Sequence, residues 1–140
     1  MSDSPPPGFL VIGPDQRRPR AARVPGSDVG VICDDRTPTA ALLAGVNTLA
    51  PGARIPVHFH DYEELQFIVS GSGLALDGRG GEHPIGPGSA VYCAAGREAA
   101  HGFVNTSDVP LAIFYAYSTP GGAAPSLEWL GEAPPPVKPG

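Results

Sequence analysis

The chain has 140 residues, among them 19 glycines and 18 prolines, and its formal net charge is −5. That length suits one domain with a single core. The acidic balance argues against nucleic-acid binding, which needs a basic face, and no apolar run approaches the ~20 residues of a membrane-spanning helix.

In chain order, residues 1–8 are polar and proline-rich, a composition that does not bury a core. Phe9–Ile12 is a short apolar run, read as an edge strand or as an arm that joins a neighbouring subunit's sheet. Gln16–Arg23 holds four of the eight arginines. A short charge run is most simply a solvated loop, with subunit contact or an anionic substrate as the sharper readings. Val29–Cys33 reads as a strand and Asp34–Pro38 as a turn. Thr39–Ala50 is apolar; its β-branched residues, Gly45 and the Pro51–Gly52 turn favour a strand over a helix. Glu64–Ser70 is the strongest strand signal. Leu74–Asp77 and Glu82–Ile85 form a hairpin around an Asp-Gly start. Ala90–Cys93, His101–Asn105 and Leu111–Tyr117 are strand-like, and Ser126–Leu130 reads as a short helix or capping segment. Many short strands between Gly- and Pro-marked turns predict an all-β sandwich or barrel. Cys33 and Cys93 have no Cys-x-x-Cys spacing, so they read as buried thiols of a reducing compartment. With no signal-peptide layout at the N-terminus, a cytoplasmic location is expected.

The chemistry concentrates in Gly52–Gly71. Residues two apart on a strand point to one face, so His58 and His60 aim at one point. Glu64 opens the next extended run with the same parity. Imidazole nitrogens and a carboxylate that converge suit a divalent first-row metal. By parity, Gln66 and Ile68 share the face of Glu64. Gln66 is the notable one, because a buried amide two residues from a ligand needs hydrogen-bond partners. Glu63 points the other way, and His83 is read as a surface residue of the hairpin.

Gly52, His58, His60, Glu64 and Gly71 have the spacing of the first conserved motif of the cupin superfamily, which the chain resembles. Gly88, Gly96, His101 and Asn105 resemble the second motif. Ala94 replaces its proline, and four residues rather than two separate Gly96 from His101. The resemblance implies a single-domain jelly-roll β-barrel with one divalent metal (iron, zinc, nickel, manganese or copper) held by His58, His60, Glu64 and His101. The expected plan is a flexible arm over residues 1–24, the cupin barrel over 25–125, and a C-terminal segment with a proline-rich tail over 126–140. Phe103, Tyr115 and Tyr117 join Gln66 and Ile68 as expected pocket walls, with Glu64 and Gln66 as expected catalytic groups.

Four protein ligands on an octahedral metal leave two open positions. The expected function is a metal-dependent enzyme acting on a small enolisable or aromatic molecule, by Lewis-acid cyclisation, isomerisation or elimination. A dioxygenase is the near-level alternative, and a non-catalytic sensor the third. A homodimer is the family-typical state that the resemblance implies.

Overall fold

The computed structural model describes residues 6–37 and 39–137. The first five residues of the expected arm, Pro38 in the expected turn and the last three residues of the tail lie outside the described residues. The strands are β1 (Arg18–Arg20), β2 (Ser27–Cys33), β3 (Leu42–Leu49), β4 (Arg54–His60), β5 (Glu64–Ser70), β6 (Gly73–Asp77), β7 (Glu82–Ile85), β8 (Ala90–Cys93), β9 (His101–Val104), β10 (Leu111–Ser118) and β11 (Leu127–Trp129). They form two antiparallel sheets, one of order β1-β2-β3-β10-β5-β8 and one of order β11-β4-β9-β6-β7. This is the all-β jelly roll that the strand spacing and the resemblance predicted.

Alternation builds the interior. On β5, Glu64, Gln66 and Ile68 are buried while Leu65, Phe67 and Val69 are exposed. On β10, Leu111, Ile113, Tyr115 and Tyr117 are buried in alternate positions. One end of the barrel is filled by Leu49, Ile68, Ala75, Ile85, Phe103, Leu111 and Ile113. Burying a side chain such as Leu49, Ile68 or Leu111 contributes about 1.5–3 kcal/mol. The other end holds Leu43, Tyr115 and Tyr117 and is more polar. The dry end fixes the sheet spacing, which leaves the polar end free to carry a site.

Several expectations are corrected. Phe9–Ile12 forms no strand: Phe9, Leu10 and Val11 are exposed, after a turn in which the Phe9 N–H donates to the Pro6 carbonyl. The arginine run is not simply a loop, since Arg18–Arg20 adds β1 to the edge of β2. Ser126–Leu130 is neither helix nor cap. Its Leu127–Trp129 pairs antiparallel with His60–His58 and occupies the edge of β4. The two sheets therefore run past both expected limits of the barrel, 25 and 125.

Candidate metal centre

β4 and β5 are consecutive in sequence but belong to different sheets. The corner Asp61–Glu63 carries the chain across, so Glu64 faces the histidines from the opposite wall rather than lying beside them. On the histidine wall, register does the positioning. His58 pairs directly with His101 of β9 and with Trp129 of β11, and His60 pairs with Leu127. On the facing wall, Tyr117 and Cys93 flank Glu64 in register, and Tyr115 flanks Gln66.

His58, His60 and His101 are buried, with one ligand nitrogen from each lying within 4.8 Å of the other two. The His58–His101 ring centroids are 4.7 Å apart and those of His58 and His60 4.9 Å. Nδ1 of His58 lies 2.9 Å from the Pro56 carbonyl, and Nδ1 of His101 lies 2.9 Å from the Ala99 carbonyl. A carbonyl accepts, so each Nδ1 carries a proton and each Nε2 is the atom that a metal would take. Backbone carbonyls orient metal-binding imidazoles in this way. Nδ1 of His60 is buried without a hydrogen-bond partner. The donor set therefore fits a divalent transition metal.

The extra residues between Gly96 and His101 form a 3-10 turn, Arg97–Ala99. Gly96 starts it at φ 99°, a region that disfavours residues with a Cβ, and its N–H donates to the His60 carbonyl at 2.8 Å. The longer spacing is thus taken up before His101, which stays opposite His58.

Glu64 is buried on the facing sheet. Its Oε1 is 2.9 Å from His101 Nε2 and 3.8 Å from His60 Nε2. Gln66 Nε2 donates to the same oxygen at 2.6 Å, which supplies the partner its buried amide requires. The Cys93 thiol, 3.7 Å from Gln66 Oε1, holds the other end of the amide. The Tyr117 hydroxyl sits 2.9 Å from His60 Nε2.

Burial first, and then the neighbouring His101, pushes His58 down to about 3. The same causes, in the same order, push His60 down to about 4. Burial also opposes charge on His101, but contact with the Cys93 and Glu64 side chains outweighs it and raises His101 to about 10.

Above the histidines opens a cavity walled by both sheets. Gln66, Phe103, Tyr115 and Tyr117 line it. Ile68 does not; it is fully buried in the apolar cluster at the dry end. Asn105 is also structural: its amide donates to the Leu49 and Val109 carbonyls and its oxygen accepts from Ser107. His83 is exposed and pairs with Asp77 at 2.9 Å, and Glu63 is exposed. Sequence reasoning missed Trp129, Leu127, Asn47, Arg20 and Arg23 on the wall. The arginine run carried a signal for the last two; β11 is too short to announce the first two.

Residues 45–117 match the Cupin domain family. The chain is a cupin. The polyketide cyclase RemF from Streptomyces resistomycificus has the same fold, with a TM-score of 0.74 at 20% identity over 90% of this cupin and 89% of that chain. A sugar phosphate isomerase of the cupin superfamily from Silicibacter pomeroyi gives 0.68 at 23% identity, over 78% and 75% of the two chains. The DMSP lyase DddQ from Ruegeria pomeroyi gives 0.65 at 20%, over 80% of this chain and 61% of that one. At such identity the likeness shows a shared fold. No protein in the curated comparison matches the chain by sequence.

Proposed function

We propose that this cupin is a metal-dependent enzyme acting on a small enolisable or aromatic organic molecule by cyclisation, isomerisation or elimination. One observation carries this reading: three buried histidines on one sheet face a buried carboxylate on the other, across a cavity walled by Phe103, Tyr115, Tyr117 and Trp129. The wall suits a planar or conjugated body, and the polar end suits proton movement. A divalent metal bound by the histidines, with or without Glu64, would supply Lewis-acid polarisation of a substrate oxygen.

The chain's own groups then divide the work. Glu64 is the proton acceptor, with the Gln66 amide donating to its Oε1 and holding its orientation. The Tyr117 hydroxyl is raised well above its ordinary range, by burial first and then by Glu64, so it stays protonated and acts as a donor. The aromatic walls restrict water at the reacting carbon. The structural neighbours named above are a cyclase, an isomerase and a lyase, which supports proton-transfer chemistry over oxygen consumption.

The test is deuterium exchange into enolisable ketones and 2-oxo acids, followed by NMR with zinc-loaded protein. Exchange above the buffer rate is expected, abolished by chelation and reduced by about 10²–10⁴-fold in Glu64→Gln. Exchange at the buffer rate in every case, or unchanged exchange in Glu64→Gln, would overturn the reading.

A further inference from the structure

Two guanidinium groups stand at the cavity with no carboxylate to balance them. In the arginine run, Arg18 pairs with Asp34, which Arg36 also engages. Arg20 ends β1 half-buried, Arg23 is exposed at the rim, and both line the cavity. Neither has an ion-pair partner among the described residues. A chain of net charge −5 thus has two cations and a single carboxylate, Glu64, lining its candidate site. Partial burial, and then the charge of Arg20, lowers Arg23.

A second, independent observation lies on β10, three strands along the same sheet from β1. The Tyr115 hydroxyl is buried without a hydrogen-bond partner, in a side chain only 7% exposed that lines the same cavity. Gly45, its register partner on β3, leaves the room that this hydroxyl occupies: a Cβ there would lie 2.6 Å from it. A buried hydroxyl without a partner is costly unless a ligand completes it. Burial raises Tyr115 and outweighs the opposing charge of Arg20, so it remains a donor.

We infer that Arg20, Arg23 and the Tyr115 hydroxyl form a carboxylate-binding subsite, and that the substrate is a small organic acid. Its carboxylate sits at the arginines while its enolisable or aromatic part reaches Glu64 and the histidines. The planar guanidinium fork matches a carboxylate. The same fork also accepts phosphate, so inorganic phosphate is the rival anion that the test must separate from a carboxylate. This inference names the substrate class of the proposed enzyme and rests on that reading of the cavity.

The test is calorimetric titration of zinc-loaded protein with benzoate, with benzamide as its neutral analogue and inorganic phosphate as the rival anion. Benzoate should bind, and its affinity should fall by roughly tenfold or more in the double variant Arg20→Gln/Arg23→Gln. Tyr115→Phe, which removes only the hydroxyl, should weaken benzoate in the same direction and leave benzamide unchanged. Equal benzoate affinity in wild type and double variant would overturn the subsite, as would phosphate binding without benzoate binding. Zinc content, measured on the same samples, separates the two claims. A normal zinc equivalent with unchanged benzoate affinity sinks the subsite alone. A wild-type chain that takes up neither zinc nor iron, nickel, manganese or copper sinks the enzyme reading, and titration of that metal-free chain still decides the subsite.

Discussion

His58 and His60 are buried neutral bases, and that state has a pH signature. Their folded values, about 3 and about 4, lie below the ordinary 6.5, so the metal-free fold binds fewer protons than the unfolded chain in between. Their contribution to stability is present above pH 6.5 and is lost as pH falls toward those values. His101 runs the other way: raised to about 10, it contributes below 6.5 and loses that contribution as pH rises through 10. Metal-stripped protein should therefore show a lower urea midpoint at pH ~4.5 than at ~7. Equal midpoints would show that the histidines are not buried as described. The His-x-His pair was legible because a strand's period of two leaves little choice of face. The partnership of Glu64 with Gln66 and His101 was legible only in part, because parity within one strand says nothing about which sheet the next strand joins.

Among the elements, β4, β5 and β10 were readable from alternation, whereas β1 and β11 were not. Each of the latter is three residues long and is held by the edge it pairs with rather than by its own pattern. Yet they bring Arg20 and Trp129 to the cavity. The segment after β9 gives a test of structure without chemistry. Asn105 is fully buried and ties Leu49, Ser107 and Val109 together. Asn105→Ala should cost about 1–3 kcal/mol in denaturant unfolding by leaving those groups unpaired, with metal content unchanged. Lost metal with unchanged stability would instead place Asn105 in the site. On β3, Gly45→Ala would meet the Gly30 carbonyl as well as the Tyr115 hydroxyl. It should cost about 1–3 kcal/mol by overpacking, measured in the same way.

For the whole molecule, the two-sheet barrel gives each wall a separate role: histidines on one, carboxylate, phenols and arginine on the other. The outer face of the larger sheet exposes Leu65, Phe67 and Val69 on β5 and Tyr92 on β8. The family resemblance implies a homodimer, and we propose that a second copy of the chain covers this face. Sedimentation should give twice the chain mass, and Phe67→Glu should give monomers; a monomeric wild type would contradict this. The fold was legible because strand alternation, turn residues and the spacing of one motif agree with one another. The proposed carboxylate subsite was not, because it joins Arg20 and Arg23 at one edge of the sheet to Tyr115 on the interior strand β10, distant in sequence. The central claim is that His58, His60 and His101 hold a metal, and elemental analysis of the purified chain tests it most directly. The account predicts about one divalent transition metal per chain, lost in both His58→Ala and His101→Ala. A chain that takes up no metal on reconstitution, or a full equivalent retained in both variants, would contradict it.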